Sequence, residues 1–187
     1  MSRPTPKPYR LLAIALSSHG LGYAVLEGER SLVEYGSMRV KGDKNRKCVA
    51  KIEELVALYT PDGLVLEEMT AQHLDRAPRI KTVQEQIIES GRKCGLKVTL
   101  VSGKQVRSAL LDSVHGTKQE VAQMLTKYFP DELAFRLPPK RRAWESADDR
   151  MDIFDAVGLA VAFRMTEQRT PVVNSSEETD LLKPTVI

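Results

Sequence analysis

The sequence predicts an α/β protein with a mixed five-stranded sheet, three antiparallel strands followed by two parallel ones, and helices on both faces. Three strand-like segments come first and are joined by short turns, so they can pair antiparallel. Two later strand-like segments follow helical patterns, and strands joined by helical crossovers run parallel. With 187 residues, 42% of them hydrophobic and 28% charged, the chain has the length and composition of one soluble globular domain.

The amino-terminal third holds most of the predicted strands. The first two apolar runs flank a Ser/His/Gly turn, which is typical of a hairpin, and the third run alternates loosely, as an edge strand does. Apolar side chains then recur at helical spacing before a short apolar run that ends on two acids. These patterns predict strands over residues 10–16, 21–26, 31–40 and 63–67, and a helix over 43–59.

The rest of the chain is mainly helical in pattern. Pro78 suits the first turn of a helix that Gly95 ends, and Thr117 and Glu120 have the spacing of a capping box. A nearly continuous apolar run before Met165 predicts that the last helix is buried. The predicted elements are helices over 77–94, 103–111, 117–128 and 146–165, a strand over 97–101, and a Pro- and Arg-rich loop over 135–144.

Composition sets the expected boundaries and location. Residues 1–9 have basic residues and prolines without an apolar core, so they predict a disordered leader rather than a secretory signal. Residues 166–187 are polar and predict a disordered tail, which leaves 10–165 as the domain. No apolar run reaches about 18 residues, and the two cysteines are far apart, so we expect a cytoplasmic protein without a membrane partner.

Carboxylates fall at the ends of predicted elements. Glu67 and Glu68 end the fourth strand, while Asp152 and Asp155 are three residues apart and project from one face of the last helix. Asp148 lies one turn earlier, where an acid commonly complements the helix dipole. Asp155 adjoins a buried run, where an acid usually needs a partner or a cation. The pattern predicts a site for a hard divalent cation such as Mg²⁺ or Mn²⁺.

Basic residues cluster near these acids, although the net charge is only +3. Such an uneven distribution favours a face that follows phosphates. Trp144 lies beside one cluster, and a tryptophan next to arginine can stack on an unpaired base. Packing of Trp144 under its own loop is the alternative, and the one that the sequence alone favours. The clusters that bear on the site are Arg76 and Arg79, and Lys140, Arg141 and Arg142.

Four segments in a fixed order carry a family resemblance. They are LLAIALSSHGLGYAVL, PDGLVLEE (61–68), SGKQVRSALLDSVHGTKQEVAQML (102–125) and DRMDIFDAVGLAVA (149–162). Together they resemble the RuvC family of Holliday-junction resolvases, within the ribonuclease H-like superfamily. The resemblance covers roughly 10–165. It implies a ribonuclease H-like fold, binding of branched DNA, metal-dependent cleavage of a phosphodiester, and action as a homodimer.

The resemblance also implies roles for individual residues. It makes Glu67, Asp152 and Asp155 the ligands of Mg²⁺ or Mn²⁺ and catalytic residues, with Glu68 and Asp148 as further candidate ligands. It makes Lys118 a catalytic cation that neutralises developing charge. The expected DNA-binding residues are Lys104, Arg107, Lys118, Arg76, Arg79, Lys140, Arg141 and Arg142.

The departure from the family is at Ala15, where the family has its metal-bridging aspartate. A methyl group cannot bind a cation. Three explanations stay open: a substitution introduced to trap substrate, a natural descendant that binds DNA without cutting it, or another side chain that takes over, with His19, Glu68 and Asp148 as candidates. An activity on RNA–DNA hybrids is a further alternative within the same fold.

Overall fold

The computed structural model describes residues 7–71, 77–142, 144 and 148–169. Its single five-stranded sheet has the order β3-β2-β1-β4-β5, in which β1 pairs antiparallel with β2 and parallel with β4. The remaining pairs are antiparallel β2–β3 and parallel β4–β5. The predicted fold class is therefore confirmed. The strands are β1 (Arg10–Leu16), β2 (Gly20–Glu27), β3 (Ser31–Arg39), β4 (Gly63–Glu67) and β5 (Lys97–Val101).

Helices cover both faces of the sheet, and most start at a side chain that caps them. Asp43, Ser102 and Thr117 each accept a hydrogen bond from a backbone N–H of the first turn that they precede. The helices are α1 (Lys44–Tyr59), α2 (Pro78–Lys93), α3 (Gly103–Leu111), α4 (Lys118–Tyr128), α5 (Pro130–Leu133) and α6 (Arg150–Arg169), with a 3₁₀ turn at Ala134–Arg136.

Alternation along the central strand divides the core in two. Leu11, Ala13 and Ala15 of β1 face a cluster formed with α3, α4, α5 and α6, whereas Leu12 and Ile14 face a second cluster formed with α1 and α2. All five of these side chains are at most 3% exposed. Strand β1 is therefore covered on both faces, as its continuous apolar sequence requires.

Helix α6 lies directly against β1 and β2 because the residues beneath it are small. Ala13 pairs with Ala24 and Ala15 pairs with Gly22 in the antiparallel register. A Cβ placed on Gly22 would lie 1.9 Å from the backbone oxygen of Asp152, which no real contact allows. Glycine at this position is what lets the first turns of α6 approach the sheet.

Some boundaries differ from those that the sequence predicts. Residues 130–136 are helical, whereas we expected the loop to begin at Phe135; Pro130 at the first helical position followed by two acids explains this start. Helix α6 continues past Met165 to Arg169. Tyr9, in the predicted leader, packs its ring under the Arg164 guanidinium at 5.0 Å. The predicted start of α6 at 146 lies outside the described residues.

In the described part of the chain, no helix is long and apolar enough to cross a membrane.

We predict that Gly22→Ala lowers the free energy of unfolding by about 1–3 kcal/mol, because the added methyl group must displace the helix backbone. Urea denaturation measures the change. Gly103→Ala is the matched control, since its Cβ would meet only the ends of two long side chains, Arg107 Nη1 at 3.4 Å and Glu67 Oε1 at 3.8 Å. We expect a change within about 0.5 kcal/mol. Equal stabilities of Gly22→Ala and the parent chain would contradict the close packing of α6.

Candidate functional site

The carboxyl ends of β1, β4 and β5 meet the first turn of α3 at one edge of the sheet. A cavity of about 50 Å³ opens there. Four charged side chains line it together with Gly103 and three apolar residues of the helices. Such a cavity holds at most a few water molecules, so the charged groups lie close together. The charged side chains are Glu67, Arg107, Lys118 and Asp155.

An ion pair between Lys118 and Asp155 closes the cavity. The Lys118 ammonium donates a hydrogen bond to Asp155 Oδ2, and the side chains are 62% and 21% exposed. Desolvation lowers the pKa of the Lys118 ammonium, but the charge of Asp155 and its hydrogen bond, with the charges of Glu67 and Asp152, raise the pKa above its ordinary value overall. Lys118 is therefore a permanent cation among three carboxylates.

Asp152 lies one helical turn before Asp155, beside the turn that follows β1. Burial raises the pKa of the Asp152 carboxyl, a hydrogen bond with Ser17 lowers it, and the negative charge of Asp155 raises it again. The net result is a raised pKa. The structure thus brings Glu67 and Asp155 to one cavity and places Asp152 within electrostatic reach of it.

Ala15 lies beneath this group of acids. Its side chain is 3% exposed and faces α6, and its cross-strand partner is Gly22, against which the Asp152 backbone rests. The methyl group fills the space without offering an oxygen. The residue that the resemblance makes the metal-bridging position is thus buried next to Asp152.

The three suggested substitutes for an aspartate at this position lie in different surroundings. His19 is exposed in the β1–β2 turn, and Glu68 is exposed beyond the end of β4. Asp148 is bound locally, because Arg150 donates to it from Nη2 at 2.6 Å and from the backbone nitrogen at 2.9 Å. The Arg150 hydrogen bond lowers the pKa of the Asp148 carboxyl, so it stays ionised in that pair.

The donor set does not fit a two-metal centre. Among the residues that the structure describes, no group of three or more His, Cys, Asp or Glu side chains is arranged to hold a metal ion. The position that the resemblance assigns to the bridging ligand holds a methyl group, and a two-metal clamp needs acids that converge from several elements. Binding of Mg²⁺ or Mn²⁺ by Glu67, Asp152 and Asp155 remains a prediction.

The predicted basic residues fall into different environments. Arg107 lines the cavity and its Nε donates to the Val114 carbonyl at 2.9 Å, while Lys104 is exposed and does not line the cavity. Arg79 donates from Nη2 to the Ser17 carbonyl at 2.9 Å, so it holds the turn after β1. Arg76 lies outside the described residues. The DNA-binding roles of these residues stay predictions.

The Arg-rich segment, residues 137–142 with Trp144, is attached beside the cavity. Gln119 Nε2, next to Lys118 in α4, donates to the Pro138 carbonyl at 3.2 Å. Lys140, Arg141 and Arg142 are all exposed. Trp144 is 79% exposed, so the packing under the loop that the sequence favoured is wrong. The segment presents its cations and an aromatic ring to solvent.

Two features of the site were not found from the sequence. The sequence indicates only a turn at Ser17, whereas its hydroxyl accepts a hydrogen bond from the Gly20 nitrogen at 3.1 Å and its side chain bonds Asp152. The sequence places Gly22 in a strand without indicating what packs on it. A glycine inside an otherwise apolar strand is a signal for close approach of another backbone, and this signal could have been used.

The mixed five-stranded sheet with helices on both faces is a ribonuclease H-like fold. No protein-family model matches the chain. The sequence is similar to the crossover junction endodeoxyribonuclease RuvC of Shewanella oneidensis, with 25% identity over 166 residues that cover 84% of this chain and 88% of the relative. The RuvC of Geobacter metallireducens is 26% identical over 62% of this chain and 76% of its own.

Solved structures show the same fold. The Thermus thermophilus RuvC structure in complex with Holliday junction substrate has a TM-score of 0.66 at 18% identity, covering 86% of this chain and 95% of that chain. Sequence and fold together confirm the predicted RuvC-like resemblance.

We predict that Asp152→Asn raises the thermal midpoint at pH 7. The folded-state pKa of Asp152 is raised, so its ionised form costs stability above that pKa, and this cost falls as the pH drops through it. The gain should therefore disappear at about pH 3, where the carboxyl is protonated in both states. Thermal unfolding followed by circular dichroism at both pH values measures it.

Asp155→Asn is the matched comparison on the same helix. It leaves the Lys118 ammonium without its hydrogen-bonded carboxylate, so we expect a lower thermal midpoint at pH 7. Changes of the same sign in both variants would contradict the different surroundings assigned to the two aspartates.

Proposed function

We propose that this protein binds four-way DNA junctions and does not cut them by two-metal chemistry. The observation that carries the proposal is the cavity where Glu67, Asp155, Lys118 and Arg107 meet, on a fold that is RuvC-like, with a buried methyl group at Ala15. The relatives are named crossover junction endodeoxyribonucleases, and a similar structure contains a Holliday junction. Both support branched DNA as the ligand.

The charge distribution supports binding to DNA. Three consecutive exposed cations, Lys140, Arg141 and Arg142, lie on a segment attached beside Lys118. Each cation that neutralises a phosphate releases a counterion, which gives affinity without reading sequence. Preference for a junction over a linear duplex comes from shape, since arms that diverge from one point can meet the cavity edge and the basic segment together.

The absence of two-metal cleavage follows from the donor set. In this mechanism, two cations about 4 Å apart hold the attacking and leaving oxygens, and a bridging carboxylate holds both cations. The Ala15 side chain offers no oxygen, and of the suggested substitutes His19 and Glu68 are exposed while Asp148 is paired with Arg150. The side chains that remain can bind phosphate. Lys118 and Arg107 supply positive charge at the cavity, Asp155 accepts a hydrogen bond from Lys118, and the Val114 carbonyl accepts one from Arg107.

We predict that the protein binds a fluorescein-labelled four-way junction in EDTA at least about tenfold more tightly than a linear duplex of the same length. Fluorescence anisotropy measures both affinities, with an RNA–DNA hybrid as a third probe. Equal affinity for junction and duplex would reject the junction preference, and tighter binding of the hybrid would favour the alternative activity.

The salt dependence tests the basic segment. In the double variant Arg141→Ser/Arg142→Ser, the slope of log affinity against log salt should fall by about 1.8, because two phosphate contacts are lost. The control Arg92→Ser/Lys93→Ser removes two exposed cations at the opposite end of the sheet, and its slope should stay unchanged. Equal slopes for the two double variants would exclude the segment from the interface.

We predict that Ala15→Asp restores a response to Mg²⁺. A carboxylate at this buried position lies next to Asp152, so in EDTA the thermal midpoint should fall. Addition of Mg²⁺ should raise the midpoint again and allow cleavage of the junction, followed on a denaturing gel. Ala15→Asn is the control, with similar shape and no charge. Cleavage by the parent chain in Mg²⁺ would contradict the proposal directly.

A further inference from the structure

Trp144 is the most exposed of the large hydrophobic side chains described, at 79%. It is also the only tryptophan of the chain. Tryptophan carries a large apolar surface, and at this exposure most of that surface lies in water. Tryptophan is enriched at interfaces, so an exposed tryptophan within a cluster of cations is a candidate binding residue.

The surroundings of Trp144 indicate the chemistry of that partner. The Arg142 guanidinium lies 5.8 Å from the centroid of the indole ring, and Lys140 and Arg141 precede it. An indole next to several cations suits a flat, electron-rich group attached to negative charge. A nucleobase with its phosphate has both properties, and stacking on aromatic side chains is sequence-tolerant.

The attachment of the segment places it near the cavity. Gln119 holds Pro138 at 3.2 Å, and Gln119 follows Lys118, the cation of the cavity. The pKa of Glu120, in the same turn, is lowered by hydrogen bonds with Thr117 and also by the charge of Lys140. The basic segment thus runs along the first turn of α4, beside the place where we propose that the junction binds.

We propose that Trp144, with Arg142 against its ring, is a stacking platform for an unpaired base of the bound branched DNA. This inference rests on the proposed function, because it requires branched DNA at the neighbouring cavity. The exchange point of a junction is where bases can leave their stack at small cost, since the arms diverge there. An intact linear duplex offers such a base only at its ends.

Phe135 provides a matched comparison within the same region. It is 65% exposed and its ring lies 5.1 Å from the Arg136 guanidinium, so it is also an exposed aromatic paired with arginine. However, Asp131 and Glu132 precede it in α5, and these acids oppose the approach of phosphates. We therefore assign stacking to Trp144 and expect none at Phe135.

The single tryptophan makes the test direct. The protein is titrated in EDTA with a fluorescein-labelled four-way junction, and anisotropy and, with an unlabelled junction, tryptophan emission are recorded. We expect emission to fall in parallel with binding. A junction with abasic nucleotides at the exchange point should bind through the same phosphates and leave the emission largely unquenched.

Variants separate stacking from folding and from charge. Trp144→Ala should weaken junction binding about five- to tenfold and leave linear-duplex binding within about twofold, because one base stack is lost. Trp144→Phe should retain most of the affinity, and Phe135→Leu should match the parent chain. Thermal midpoints of all variants check that each is folded.

Each result decides a different claim. Junction binding by anisotropy, with unchanged emission and with Trp144→Ala equal to the parent chain, would overturn the stacking platform and leave the proposed function intact. No junction binding by anisotropy would overturn the proposed function and the platform with it. Equal quenching by the abasic and the ordinary junction would show that Trp144 senses nearby DNA without stacking on a base, and would also overturn the platform.

Discussion

The contact between the first turns of α6 and the surface of β1 and β2 is the constraint on which the site depends. The backbone of Asp152 lies where a side chain at Gly22 would have to be. This contact fixes the height of α6 above the sheet and, with it, the positions of Asp152 and Asp155 relative to the carboxyl ends of the parallel strands. Glu67 is brought to the same edge by the β4–β5 register. A packing requirement of the core therefore determines the geometry of the charged groups.

The electrostatics of the site then follow from this geometry. The pKa of the Lys118 ammonium is raised by the charges of three acids, Asp155, Glu67 and Asp152. The charge of Asp155 also raises the pKa of Asp152. Carboxylates that lie close together in a partly buried region raise one another's pKa, because each negative charge disfavours the next. A cation among them lowers these pKa values again. Lys118 supplies the cation, and the capping box at Thr117 fixes the helix start that carries it. The stability of the charged group thus depends on one residue at the beginning of α4.

The sequence was sufficient for the fold and for part of the site, for reasons that differ between elements. Strands β4 and β5 and helix α3 match their predicted bounds because apolar runs and a cap mark both ends. The helix at Pro130–Leu133 was missed because four residues give no periodicity, although its proline was a usable signal. The exposure of Trp144 could not be predicted, since an aromatic residue in a loop packs or projects according to its tertiary neighbours.

The site residues show the same limit. Spacing alone put Asp152 and Asp155 on one face of a helix, which the structure reproduces, but it could not reveal that Arg79 donates to the turn after β1. Partners of that kind are distant in sequence and depend on how the elements pack. Asp148 is different, because its partner Arg150 is only two residues away. An ion pair between residues this close in sequence can be predicted from the sequence alone.

The methyl group of Ala15 suits a buried position better than the aspartate that the resemblance places there. Position 15 is 3% exposed, beneath a helix turn that already carries Asp152. A further carboxylate there would be buried beside a like charge and would need a bound cation to offset its desolvation. Alanine at this position avoids that cost and retains the strand pairing and the close approach of α6. On the proposed function, the fold and the exposed cations of the basic segment would serve binding, while the position that the resemblance assigns to the bridging ligand carries only a buried methyl group.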